Sequence, residues 1–246
     1  MTPHRPTTVK KRRRALVTGG AVRLGRVIAL ALADAGMDVA IGYHRSAAEA
    51  RRTLADLRAR GARAAAIRAD LRDAGAARAL VGRAAEALGG LDVLVNSAAV
   101  FARTPFRTAT PAEYDAHLDV NLRAPFFCTQ AAAAVMARAG GHVVNVGDAG
   151  ATGAWPGYVP YTVSKAGLVA LTRALAVALA DRGIAVNSVA PGPVLRPAGF
   201  STARWERVTR GRAVSPADVA AAVVFFATCP RGVTGQVLEV QGGAHS

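Results

Sequence analysis

Tyr161 and Lys165 stand four residues apart in the stretch YTVSK, a spacing that puts both side chains on one face of a helix. A tyrosine with a pKa near ~10 is a poor acid–base group at neutral pH. A neighbouring ammonium favours the phenolate and brings that value down, so the pair can shuttle protons. Lys10, Lys11 and Lys165 are the only lysines, and 28 of the 31 basic residues are arginine. A lysine kept in an arginine-rich chain suggests that its compact ammonium matters.

Two more polar residues sit where apolar ones are expected. In GHVVNVGDAG, residues 141–150, Val143, Val144 and Val146 read as a buried strand that ends in Asp148. A carboxylate there is costly unless something needs it; the plainer reading is a cap for the turn after the strand. Asn121 lies amid VNLRAPFF in an apolar helix, where an amide must find partners. It is either a hydrogen-bonding hub or part of a proton relay.

A second group of residues suits a dinucleotide. Thr18-Gly19-Gly20-Ala21-Val22-Arg23-Leu24-Gly25 follows a strand and opens a helix. Glycines there allow a tight turn and let the backbone approach a pyrophosphate at the positive helix end. Arg23 replaces the middle glycine of the usual fingerprint, and reads as a cation reaching over phosphates. Tyr43-His44-Arg45-Ser46 ends the second strand, where an acid would read the ribose of NAD. Arg45 and Ser46 instead offer a cation and a hydroxyl to a 2′-phosphate, with His44 beside them in the cofactor-binding set, which points to NADPH. Asp70, before Leu71, is placed to accept from the adenine amino group or to cap the following helix. Asn96-Ser97-Ala98 follows the fourth strand. Pro191-Gly192, with Val194 beyond, follows the sixth, where the chain bends close to a ligand.

Strand-like and helix-like segments alternate along the chain and supply the frame for these groups. Strands are expected at 15–19, 38–43, 63–69, 91–95, 142–147, 184–189 and 236–240, and helices at about 24–35, 47–60, 75–88, 111–138, 158–181 and 216–228. Capping boxes are expected at Ser46–Glu49 and Thr110–Glu113, and Ser215 opens the last helix similarly. Short apolar strands alternating with helices predict an α/β fold: one Rossmann-type, doubly wound parallel seven-stranded sheet with helices on both faces. That domain runs over 14–246, behind a basic, solvated tail at 1–13. Residues 193–212 show no clear period and read as a lid, with Phe200 and Trp205 as possible walls.

The 246 residues are 52% hydrophobic, enough for one large core, and 5% aromatic, so Ala, Val and Leu must fill it. A net charge of +15 suggests a polyanion. The arginines are spread along helices, however, without the second basic stripe and interleaved aromatics of a nucleic-acid binder. No run is long enough for a membrane span and no secretory signal is visible. Cys128 and Cys229 read as buried thiols in a reducing cytoplasm. No nucleic-acid, membrane or metal site is expected.

Taken together, the glycine-rich turn, NSAA, Asn121, YTVSK and PGP resemble the classical short-chain dehydrogenase/reductase family over about residues 14–243. The resemblance implies a nicotinamide-dependent oxidoreductase, commonly a homotetramer, with Asn121, Tyr161 and Lys165 as catalytic residues. Asp148 occupies the position of the family's serine. Arg23, Asp148 and the HRSAAEA run at 44–50 together resemble the pteridine reductase branch. That branch reduces C=N bonds of pterins. It implies Tyr161 and Asp148 as the proton-delivering pair, with Arg23 at the substrate, Lys165 tuning Tyr161 and Asn121 supporting a water relay. Phe101, in VFARTPF, would stack the flat substrate. The alternatives are a carbonyl or 3-oxoacyl-thioester reductase and, in a different class, a non-catalytic NADP(H)-binding sensor.

Overall fold

The computed structural model describes residues 12–136, 139–153 and 155–242. Seven strands form one parallel sheet: β1 (Arg14–Thr18), β2 (Asp38–Tyr43), β3 (Ala64–Arg68), β4 (Val93–Asn96), β5 (Gly141–Val146), β6 (Ile184–Pro191) and β7 (Val237–Val240). Their order is β3-β2-β1-β4-β5-β6-β7, so the chain reverses direction across the sheet between β1 and β4. A ligand crevice belongs at the carboxyl ends of the strands at that switch point. The doubly wound fold expected from the sequence is the one observed.

Strand alternation divides the core in two. Val17, Val39, Ile41 and Val95 face one side, where they meet α1 (Arg23–Asp34), α2 (Ala47–Ala59) and α8 (Pro216–Thr228). Leu16, Ala40, Leu94 and Val143 face the other, where they meet α3 (Ala74–Leu88) and α5 (Ala124–Met136). Ala176 of α6 (Val159–Ala178) joins this second cluster.

Several local expectations need correction. The single helix expected at 111–138 is α4 (Pro111–Leu118), one π-helical turn (Asp119–Arg123) and α5. Pro125 is the reason. It has no amide hydrogen to give the carbonyl of Asn121, so the α-helical ladder cannot run through. The last two residues of that expectation, 137 and 138, lie outside the described residues. Within 193–212 there is a helix, α7 (Thr202–Thr209), capped by Ser201, which accepts from the Arg204 amide at 3.2 Å. The Thr110–Glu113 capping box forms in both directions, but Ser46 makes no side-chain bond to α2, and Glu49 pairs with Arg52 instead. Asp73, not Asp70, caps α3.

The end of the basic cluster is structural. Arg14 opens β1 and clasps Asp92 through Nε at 2.7 Å and Nη2 at 2.8 Å. Arg13 donates to the Ala227 carbonyl at 2.7 Å, and Arg12 pairs with Asp38 at 3.3 Å. Residues 1–11 of the expected tail lie outside the described residues.

Candidate active site

A cleft of about 980 Å³ runs along the carboxyl ends of the strands. Gly19, Arg23, Leu24 and Gly25 line its middle, His44, Arg45, Ser46, Asp70 and Leu71 one end, and Phe101, Asp148, Tyr161 and Lys165 the other. Ser97, Ala98, Pro191, Gly192 and Val194 complete the wall. The sequence-predicted site is thus brought together, apart from two residues.

Asn96 does not line the cleft. It is buried in β4, donating to Asn145 Oδ1 at 2.9 Å, and Asn145 in turn donates to Thr172 of α6 at 2.9 Å. This amide chain lies under the site and ties β4, β5 and α6 together. An amide inside the apolar run HVVNV was the available signal for Asn145.

Asn121 sits in the π-helical turn, also away from the cleft, and acts as a hub. Its Oδ1 accepts from the Val100 amide at 2.8 Å, and its Nδ2 donates to the Val100 carbonyl at 2.9 Å and Ser164 Oγ at 3.0 Å. Both amide hydrogens are therefore committed. The clamp fixes the residue before Phe101 and joins it to α6, the helix that carries Tyr161 and Lys165.

The glycine-rich turn is shaped for a close ligand. Gly19 has φ +67°, and a Cβ there would come within 2.8 Å of Ala98 Cα. A Cβ on Gly25 would overlap the Gly19 carbonyl, so α1 starts against the turn itself. Arg23 takes the left-handed conformation, φ 50°, that a glycine would otherwise supply. Its guanidinium donates to the carbonyls of Leu195 and Arg196 at 3.1 and 3.2 Å, bridging the turn to the lid. Thr18 Oγ1 accepts from the Ser97 and Ala98 amides at 3.0 and 3.1 Å and holds that segment beside the turn.

At the end formed by β2 and β3, Asp70 is held by Arg72 at 2.5 Å and faces His44 at 3.6 Å. The Arg72 hydrogen bonds hold its carboxyl down at about 2. Among the described residues the Arg45 guanidinium and the Ser46 hydroxyl have no protein partner, and both line the cleft. The failed capping box leaves that hydroxyl available. These groups fit a 2′-phosphorylated adenosine.

At the other end the Tyr161 hydroxyl donates to Asp148 Oδ2 at 2.5 Å. Asp148 Oδ1 accepts from the Gly150 amide at 2.7 Å, so the residue is also the turn cap of the plainer reading. Burial, and then the adjacent carboxylate, push the Tyr161 phenol well above its ordinary value. The expected lowering by Lys165 is not what governs it here. A phenolate beside a carboxylate would bury two like charges, so the hydroxyl stays protonated and donating. Lys165 is buried with Nζ bound to the Val146 carbonyl at 2.7 Å, and burial lowers its ammonium to about 8.

Phe101 lies on this wall, but one face is covered by Tyr158, stacked at 4.7 Å with an 8° interplanar angle. Tyr161 meets it edge-on at 4.7 Å. Phe200 and Trp205 reach the cleft from the lid, as the sequence suggested, and Trp155 and Tyr158 complete the cluster. Nothing in their spacing marked the last two. Buried His117 supports the group: Nδ1 donates to the Glu113 carbonyl at 2.8 Å, and Nε2 accepts from the Ala102 amide at 3.3 Å.

Comparison with known proteins agrees with this arrangement. A family model described as enoyl-(acyl carrier protein) reductase matches residues 20–245. The chain is 35% identical to the 3-oxoacyl-acyl-carrier-protein reductase FabG of Staphylococcus aureus, over 96% of this chain and 100% of that one. Among solved structures, a short chain dehydrogenase from Burkholderia cenocepacia in complex with NADP is 41% identical, with a TM-score of 0.88 over 95% of this chain and 98% of that one. A blue fluorescent protein from a metagenomic library, in complex with NADPH, is 36% identical, with a TM-score of 0.88 over 95% and 98%. The chain belongs to the short-chain dehydrogenase/reductase family of oxidoreductases.

Proposed function

We propose that the chain is an NADPH-dependent reductase of carbonyl groups, with 3-oxoacyl thioesters as the first substrate class to consider. The observation that carries the reductase reading is the Tyr161 hydroxyl, held protonated at the cleft by Asp148 at 2.5 Å. A reduction needs a proton donor, and this tyrosine is kept as one. The glycine turn, Arg45 and Ser46 hold the pyrophosphate and the 2′-phosphate. The bound nicotinamide supplies hydride. Tyr161 turns its hydroxyl from Asp148 to the substrate oxygen and gives it the proton. Lys165, one helical turn on and titrating near 8, is the cation that stabilises the tyrosinate as it forms. Asn121 holds the loop and helix between which the substrate lies. The FabG relative and the two cofactor-bound neighbours support the substrate class and the cofactor.

Asp148 favours a second reading, reduction of a pterin-like C=N bond. The C=N reaction must protonate a ring nitrogen, and Asp148, hydrogen-bonded to the Tyr161 hydroxyl, is placed to relay that proton. Arg23, which lines the cleft, fits that reading too, whereas Tyr158 stacked on Phe101 and Phe200 close by count against it.

We further propose a cytoplasmic homotetramer. Exposed Phe126, Val163, Phe225 and Leu238 support self-association by offering apolar surface to a second copy. Light scattering that gives the mass of one chain would remove this element.

The deciding experiment follows NADPH oxidation with acetoacetyl thioester, a simple diketone, dihydrobiopterin and dihydrofolate. Turnover of the carbonyls alone supports the first reading, and of the pterins alone the second. Cofactor binding without any turnover would instead mark a sensor.

A further inference from the structure

We infer that Arg204 is a specificity-determining residue that sets the width of the cleft beside Tyr161, favouring acyclic substrates over flat fused rings. The inference deepens the carbonyl-reductase reading and rests on it for the chemistry. Arg204 touches neither substrate nor cofactor sites; it acts through Phe200 and Tyr158.

Arg204 fastens the lid to the fixed wall. Its guanidinium lies 3.8 Å above the Phe200 ring, which belongs to the lid. Its Nη2 donates to the Tyr158 hydroxyl at 3.2 Å. Tyr158 is buried at the start of α6 and bridges by its backbone to Thr104, so it cannot follow the lid. Ser201, by capping the Arg204 amide, fixes where the side chain leaves α7. A cation over one ring that hydrogen-bonds a second draws the two together.

The result is contact between two rings on the cleft wall. Phe101, stacked on Tyr158, and Phe200 have ring centroids 6.3 Å apart and planes tilted by 49°. A flat ring between two others needs about 3.5 Å on each side, or roughly 7 Å between parallel faces. The two rings therefore leave no room for a flat fused ring between them while Arg204 holds Phe200 in place. Arg23 anchors the lid separately at Leu195 and Arg196, so losing the Arg204 clasp releases Phe200 without releasing the whole lid.

The test compares two carbonyl compounds of different shape, acetoacetyl thioester and the flat bicyclic ketone isatin. Arg204→Met keeps the stem and removes the cation and its donors; Arg204→Lys keeps a cation. The ratio of kcat/KM for isatin to that for the thioester should rise about tenfold in Arg204→Met and fall back in Arg204→Lys. Calorimetry of isatin with the NADP+-saturated protein should show a similar gain in affinity. That arm needs no turnover, so it decides the point even if the chain reduces neither carbonyl and the reading above falls. An unchanged ratio and unchanged isatin affinity in Arg204→Met would overturn the inference. So would equal losses on both substrates with a lowered Tm, which would make Arg204 a stabilising residue only.

Discussion

Asp148 Oδ2 accepts the Tyr161 hydroxyl at 2.5 Å while Oδ1 accepts the Gly150 amide at 2.7 Å. One carboxylate therefore holds the turn after β5 and the proton of the tyrosine on α6. A serine side chain is one atom shorter and has a single oxygen, so it cannot meet the two donors with separate oxygens as the carboxylate does. Asp148→Ser should reduce dihydrobiopterin turnover at least about tenfold more than acetoacetyl thioester turnover, because only the C=N reaction calls on the acid itself. Steady-state kinetics on both substrates measure this, and equal losses would leave Asp148 as a turn cap.

Tyr161→Phe removes the donated proton and little else, since the ring still meets Phe101 edge-on. Turnover should fall by roughly 10²–10⁴-fold, the usual worth of a general acid. NADPH affinity, read by fluorescence titration, should stay within about twofold, because the turn and β2 residues hold the cofactor. Retained activity would take Tyr161 out of the mechanism.

Arg45 and Ser46 offer the 2′-phosphate a cation and a hydroxyl that no described protein group claims. Arg45→Glu places an acid where a ribose 2′-hydroxyl would be read instead. The preference for NADPH over NADH should disappear, a change of roughly 100-fold in the ratio of kcat/KM values, about 3 kcal/mol. Should the preference survive, Arg23 becomes the residue to test next.

His142 gives a pH dependence. It is buried in β5 with Nδ1 unpaired, and burial, with Arg13 and Arg231 nearby, lowers it from 6.5 to about 4. Between those values the unfolded chain takes up a proton that the folded chain refuses. Stability contributed at neutral pH is therefore lost as pH falls from 6.5 toward 4, by up to about 3 kcal/mol. His142→Leu should flatten that part of the denaturation curve and remove the orphaned nitrogen. Parallel losses in the two proteins, measured by urea unfolding at pH 7, 5.5 and 4.5, would argue against it.

The alternation of short apolar strands with helices was enough to read the doubly wound sheet, because strand and helix periods are local properties of the chain. The residues at the carboxyl ends of the strands followed from that topology. Gly19, Arg45 and Asp148 follow strand ends, and Tyr161 and Lys165 lie in the first two turns of α6, so all meet in one cleft.

What the sequence left undecided depended on distant partners. Pro125 broke the expected long helix, and Asn121 became a clamp only once Val100 and Ser164 lay beside it. Asn96 faced Asn145 across the sheet instead of the cofactor. Ser46 headed a capping box in sequence, yet its hydroxyl is free of the helix and lies at the cleft. The upward shift of the Tyr161 phenol was likewise set by burial and by Asp148, thirteen residues away, and not by Lys165 on its own helix. Hydrogen-bond partners and local dielectric arise from packing, so which acid, amide or ring does the work was decided by tertiary structure alone.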